Sequence, residues 1–132
     1  MASPLHPAHS SGRPVPEGLD PATIDQLLGL DDGGTSLLAE LFDLFRQDSP
    51  ERLSQLRRNL DEGELQGVSE MAHALKGAAG TLGALRMRAV AFEMERGGKG
   101  GMPVEELRRL LQDLEGAYEE ACAALAVFLG QA

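Results

Sequence analysis

From Leu19 onward, hydrophobic residues recur along the chain at intervals of three and four, which is the spacing of one face of an α-helix. The longest such pattern follows Pro103 near the carboxyl end. Its apolar positions are Val104, Leu107, Leu111, Leu114, Tyr118, Ala121, Leu125 and Phe128. This alternation predicts a long helix that packs in a bundle.

Shorter patterns of the same kind precede it, and each is bounded by residues that start or end helices. In chain order, the apolar faces consist of Ile24, Leu27 and Leu28; Leu37, Leu38, Leu41, Leu44 and Phe45; Leu53, Leu56 and Leu60; Leu65, Val68, Ala72, Leu75, Ala79 and Leu82; and Leu85, Val90, Ala91 and Met94. Asp20 and Pro21 should start the first helix, and Gly83 should end the fourth. Pro50 is expected to begin a new helix after a cap at Asp48 or Ser49. The glycine-rich run 97–101 is expected to form a flexible loop.

No strand pattern competes with these helices, and aromatic residues make up only 4% of the chain, so the core must be aliphatic. The sequence therefore predicts an all-α fold, an up-and-down four-helix bundle with one or two extra short helices. The bundle should occupy residues 19–132. Residues 1–18 are rich in proline and lack an apolar period, which predicts a flexible tail.

The formal net charge of −9 argues against nucleic acid or an anionic membrane as the main partner. Cys122 is the single cysteine, so no disulfide can form within the chain. No apolar run approaches the roughly 20 residues that span a bilayer, and no secretion signal is visible. These features predict a cytoplasmic protein.

The fourth predicted helix carries the candidate chemistry. Its polar side, opposite the apolar face, contains Gln66, Ser69, Glu70, His73, Lys76, Gly77 and Gly80. Glycine inside a helix costs roughly 1 kcal/mol relative to alanine, so Gly77 and Gly80 call for another explanation. They would let a second surface approach the imidazole of His73. A nucleophilic nitrogen, the nearby cation of Lys76 and open space are what phosphoryl transfer requires.

Residues 72–79 read Ala-His-Ala-Leu-Lys-Gly-Ala-Ala, and Leu-Gly-Ala follows at 82–84. This segment resembles the motif of the histidine phosphotransfer (HPt) domain of bacterial two-component phosphorelays. In that motif the histidine is followed by a branched apolar residue at the second position, a Lys or Arg at the third and a Gly at the fourth. The resemblance covers about residues 19–129. Gly80 departs from the pattern, because many members carry a polar residue there.

The resemblance implies that His73 accepts a phosphoryl group from a phospho-aspartate receiver, or from a partner kinase, and passes it to a response regulator. Lys76 would offset the charge of the phosphoryl group, and Gly77 and Gly80 would admit the receiver. Ser69 and Glu70 are further candidate contacts. The partners would be receiver domains and a sensor histidine kinase, and we expect the chain to be a monomer.

The same resemblance implies a phosphocarrier that is not an enzyme and has no ATP site of its own. It implies no cofactor in this chain, since the divalent metal ion needed for transfer would be bound by the partner receiver. No metal site is expected here.

The sequence also permits three alternative functions. Glu70 and His73 form a Glu-x-x-His pair, which occurs in di-iron bundles, although those require a second such pair. The bundle could also bind receivers without being phosphorylated. It could finally be part of a larger sensor kinase, although Met1 favours a free-standing protein.

Leu38 and Phe42 fall outside the main apolar stripe of the second predicted helix. We therefore expect these two residues to form an apolar patch near His73.

Overall fold

The computed structural model describes residues 13–131, which form five helices. These are α1 (Pro21–Leu30), α2 (Ser36–Asp61), α3 (Leu65–Leu82), α4 (Leu85–Gly100) and α5 (Val104–Phe128). Short connections make consecutive long helices antiparallel, and contacts between α2 and α5 close the bundle. The predicted all-α bundle of four long helices is confirmed, with α1 as the one extra short helix. No helix in this range is long and apolar enough to cross a membrane.

Two helix boundaries follow from local chemistry as predicted. The carboxylate of Asp20 accepts a hydrogen bond from the backbone N–H of Ala22, and Pro21 occupies the first position of α1. Gly83 ends α3 in the left-handed conformation, with a φ of 72°. A Cβ at Gly83 would also lie 3.1 Å from Cβ of Thr23, so the turn packs closely against α1.

The prediction of a helix boundary at Pro50 is wrong, because α2 continues through this proline. A proline inside a helix removes one backbone hydrogen bond and costs about 3 kcal/mol. Here the apolar stripes on both sides of it join into one continuous buried face. Phe45, Ser49, Leu53 and Leu56 follow each other at helical spacing, and all four are buried. Ser49 is therefore part of the packed face of α2 and does not cap a new helix.

The glycine-rich run 97–101 was also predicted incorrectly, since α4 extends to Gly100 and only Gly101 takes the left-handed conformation, with a φ of 76°. Gly97 and Gly98 are buried and lie against neighbouring elements. A Cβ at Gly97 would lie 2.9 Å from Sδ of Met102. These two glycines allow close packing of α4, and they do not form a flexible loop.

The expected apolar docking patch at Leu38 and Phe42 is wrong as well. Both side chains are completely buried in the core. The physical reason is that α2 packs against α1, α3 and α5, so it buries more than one stripe. Leu44, which belongs to the predicted main stripe, is instead half exposed.

Residues 13–18 lie against the bundle, whereas the sequence assigned them to the tail; residues 1–12 are outside the described range. Val15 packs on the core. The backbone N–H of Leu85 donates to the carbonyl of Gly18 at 3.1 Å, and that of Asp20 donates to the carbonyl of Gly83 at 2.9 Å. This amino-terminal segment therefore crosses the turn that joins α3 to α4.

Candidate functional site

His73 lies on the exposed side of α3, as the helical period predicts. Its neighbours Ala72 and Leu75 are completely buried, which fixes the orientation of the helix. The side chain of His73 is 67% exposed. The imidazole is therefore anchored on a rigid element and remains accessible from outside.

The carboxylate of Glu95, on α4, lies at the centre of the site. Its Oε2 atom is 2.9 Å from Nδ1 of His73, and its Oε1 atom is 2.7 Å from Nζ of Lys76. Nζ of Lys99 approaches Oε2 at 3.5 Å. The carboxylate is only 9% exposed, so one nearly buried anion holds a histidine and two lysines in a single cluster.

The surroundings of Glu95 keep it ionised. Its pKa falls from 4.5 to about 2, mainly because the ammonium group of Lys76 lies 2.7 Å from Oε1. Burial opposes this change, and the hydrogen bond with His73 supports it. An ionised carboxylate can only accept a hydrogen bond, so neutral His73 carries its proton on Nδ1. The lone pair is then on Nε2, the nitrogen that does not contact Glu95.

Lys76 is held more firmly than the sequence indicated. Its side chain is 25% exposed, and Nζ lies 5.1 Å from the centroid of the Phe92 ring as well as beside Glu95. Lys99, in contrast, is 69% exposed. The cluster therefore contains one fixed cation and one that can move in solvent.

Of the two predicted approach glycines, only Gly77 faces open space. A Cβ at Gly77 would meet no atom within 4 Å. A Cβ at Gly80 would lie 3.6 Å from Cδ and Nε of Arg88, so that side chain partly covers Gly80. The accessible surface beside His73 is therefore centred on Gly77.

The two further candidate contacts are placed differently from each other. Glu70 is exposed and accepts a hydrogen bond from Gln66 at 3.2 Å. The prediction that Ser69 shares the exposed side is wrong, because this residue is buried. The reason is the close approach of α4, since a Cβ at Gly98 would lie 3.2 Å from the backbone nitrogen of Ser69.

Open depressions lie along the α3–α4 interface on both sides of the cluster. One has a volume of about 320 Å³ and is lined by Lys76, Leu85, Arg88, Ala89 and Phe92. The other has a volume of about 440 Å³ and is lined by Gln66, Ser69, Glu70, Gly98 and Lys99. Each depression therefore contains at least one cation close to the histidine.

Within residues 13–131, no three His, Cys, Asp or Glu side chains are grouped so that they could hold a metal ion. The Glu-x-x-His pair of Glu70 and His73 belongs to no such group in this part of the chain.

Glu95 and Lys99 were missed by the sequence reasoning. Glu95 follows Ala91 and Met94 at helical spacing, so it lies on the buried face of α4. A single carboxylate on an otherwise apolar face is the signal that could have identified it, because a buried charge needs a partner. Lys99 is one turn further along the same helix.

A helical bundle that presents one exposed histidine, oriented by a buried carboxylate and placed beside a bare glycine, has the architecture of a phosphotransfer domain. The sequence matches the family model of the Hpt domain over residues 40–124, and the chain belongs to this family. Members of the family are phosphocarriers in phosphorelays and interact with receiver domains and kinases.

The fold is similar to that of the histidine-containing phosphotransfer protein B (HptB) from Pseudomonas aeruginosa PAO1. The two structures agree with a TM-score of 0.74 over 84% of this chain and 93% of that chain, at 24% sequence identity. This likeness is one of fold. No curated protein sequence matches the chain.

Proposed function

We propose that this chain is a phosphotransfer intermediate in which Nε2 of His73 accepts a phosphoryl group and passes it to a response regulator. The donor is a phospho-aspartate of a receiver domain or a partner kinase. The observation that carries this proposal is the 2.9 Å contact between Nδ1 of His73 and the buried carboxylate of Glu95. It supports an imidazole whose free lone pair is on the exposed nitrogen.

In the proposed step, the lone pair of Nε2 attacks the phosphorus of the aspartyl phosphate. A P–N bond forms while the P–O bond to the aspartate breaks, and the aspartate leaves as a carboxylate. The imidazole keeps its proton on Nδ1 and therefore gains a positive charge. The carboxylate of Glu95 compensates that charge, and transfer to the next receiver reverses the same step.

The cations of the cluster would act on the phosphoryl oxygens. Lys99 can reach a group on His73 from solvent, and Lys76 can act from its position between Glu95 and Phe92. We propose that the divalent cation is bound by the receiver and that the acidic pocket of the receiver approaches over Gly77. The chain would then carry the phosphoryl group without an ATP site of its own.

Transfer from phosphorylated receiver domains tests this proposal. A receiver carrying labelled phosphate is mixed with the purified chain, and the modified residue is located by mass spectrometry under neutral conditions. We expect His73→Gln to abolish uptake while the helical circular dichroism is unchanged. A chain in which both other histidines, His6 and His9, are replaced by Gln is the matched control and should retain uptake.

Two outcomes would contradict the proposal. Uptake of label by His73→Gln would show that another residue is the acceptor. Binding of receivers by the parent chain without any uptake would favour an interaction module that is not phosphorylated.

A further inference from the structure

At Gly98 the backbone of α4 meets the backbone of α3. A Cβ at this position would lie 3.1 Å from the carbonyl oxygen of Leu65, 3.2 Å from the backbone nitrogen of Ser69 and 3.3 Å from its Cβ. Distances in this range require the neighbour to move by a few tenths of an ångström. Backbone atoms inside a helix cannot rotate aside, so a side chain at position 98 would push the two helices apart.

On both helices, this contact lies one helical turn from the residues that form the Glu95–His73 hydrogen bond. Glu95 precedes Gly98 by one turn on α4, and His73 follows Ser69 by one turn on α3. With a rise of about 1.5 Å per residue, the two levels are only about 4.5–6 Å apart along the bundle. The separation of the helices at Gly98 therefore sets the separation at the Glu95–His73 hydrogen bond.

We propose that Gly98 is a positioning residue of the phosphotransfer site: its missing side chain lets α4 approach α3 closely enough for Glu95 to contact both His73 and Lys76. The effect on phosphoryl transfer rests on the proposed function, whereas the effect on geometry does not. The close approach of the two helices thus explains why this position is a glycine. The contacts that this approach allows offset the cost of glycine inside a helix.

Glu95 has little freedom to compensate for a displacement of its helix. Its carboxylate is 9% exposed and contacts His73 at 2.9 Å and Lys76 at 2.7 Å. If α4 moved outward, both contacts would lengthen together. The anion would remain close to the core with weaker partners, which is unfavourable for the charged form.

Two other tightly packed glycines, one in each of these helices, provide matched controls. A Cβ at Gly97, the adjacent residue, would meet side-chain atoms of Met102 and Leu107. A Cβ at Gly67 would meet the side chain of Asn59 on α2. Gly97→Ala and Gly67→Ala therefore disturb the packing of the same helices without pressing on the α3–α4 backbone contact.

The test compares these three alanine variants by NMR of the folded protein. Carbon-detected titration follows the carboxyl group of Glu95, and nitrogen chemical shifts report the tautomer of His73. In Gly98→Ala we expect the pKa of Glu95 to rise from about 2 towards 4.5 and the preference for the Nδ1–H tautomer to weaken. Both controls should keep the parent values.

Transfer kinetics provide the functional arm of the test. We expect Gly98→Ala to accept phosphoryl groups about tenfold to a hundredfold more slowly, with unchanged affinity for the receiver, because misplacement of a reacting group affects the rate and not the binding. Ser69→Thr adds one methyl group at the same contact from the side of α3. It should reproduce both effects if Gly98→Ala does not fold.

The proposal would be overturned if a folded Gly98→Ala kept the parent pKa of Glu95 and the parent tautomer preference of His73. If Gly98→Ala does not fold, the same result in Ser69→Thr would overturn it. Equal slowing of transfer in all three alanine variants, with the pKa of Glu95 unchanged, would overturn it too. That result would show that transfer slows because the fold is less stable. A parent chain that takes up no phosphoryl group would contradict the proposed function, and the NMR comparison would still decide the role of Gly98.

Discussion

Oε2 of Glu95 lies 2.9 Å from Nδ1 of His73, across the interface between α4 and α3. The hydrogen bond joins a nearly buried anion to an exposed imidazole. A residue on the neighbouring helix therefore determines which nitrogen of neutral His73 keeps its lone pair free.

Substitution of Glu95 should separate hydrogen bonding from charge. Glu95→Gln keeps an oxygen that can accept from Nδ1 but loses the negative charge, and Glu95→Ala loses both. We expect transfer to His73 to slow in the order parent, Gln, Ala, with Ala slower than the parent by at least about tenfold. Rapid-quench kinetics with a labelled receiver measure this order. Parent rates in a folded Glu95→Ala would exclude an orienting role for Glu95.

The stability of the fold should depend on pH through Glu95. Its pKa is about 2 in the folded chain, against an ordinary value of 4.5. The unfolded chain therefore binds more protons between these values, and stability falls as the pH falls from 4.5 towards 2. The contribution is fully present above that window. In urea unfolding at several pH values, the free energy of unfolding should fall more steeply with falling pH for the parent than for Glu95→Gln. The same pH dependence in both proteins would show that Glu95 is not its cause.

Gly77 should show opposite effects on stability and function. No atom lies within 4 Å of a Cβ at this position, so Gly77→Ala should stabilise α3 by about 0.5–1 kcal/mol. Gly77→Gln should instead block the receiver and slow transfer. A Cβ at Gly116, inside α5, would likewise meet no neighbouring atom within 4 Å, so this position serves as the matched control. Gly116→Gln should leave transfer unchanged; an equal loss in both Gln variants would show that Gly77 has no special role.

The two lysines of the cluster should differ in their effects. Lys76 is the main cause of the low pKa of Glu95, so Lys76→Ala should raise that pKa, and Lys99→Ala should not. Both variants should shorten the lifetime of the phosphohistidine, because each removes a positive charge near the phosphoryl oxygens. Decay of the labelled phosphoprotein at neutral pH measures this. Lifetimes equal to that of the parent would leave the lysines without a role in phosphoryl binding.

Leu38 and Phe42 should behave as core residues. Both are completely buried, so Leu38→Ala and Phe42→Ala should each destabilise the fold by about 2–5 kcal/mol. Leu44→Ala, at a half-exposed position of the same helix, should change stability by no more than about 0.5 kcal/mol. Urea unfolding followed by circular dichroism compares the three. A small effect at Phe42 would contradict the packing described for α2.

The helical period was sufficient to predict the fold class and the exposed side of His73, because both depend on the spacing of residues within one helix. It was not sufficient at Pro50, since the outcome there depends on whether the two apolar stripes bury against the same core. Nor could it identify the contact between Glu95 and His73. That contact depends on the distance between two helices, which is set by Gly98 and is not encoded in the period of either helix.

The amino-terminal segment also contacts the turn between the two helices that carry His73 and Glu95. Gly18 and Asp20 are hydrogen-bonded to the backbone of the turn between α3 and α4, at Leu85 and Gly83. This segment therefore holds the turn in place at the point where α3 ends and α4 begins. Removal of residues 13–19 should accelerate amide hydrogen exchange at Leu85, and an unchanged exchange rate would show that the turn is equally rigid without this segment.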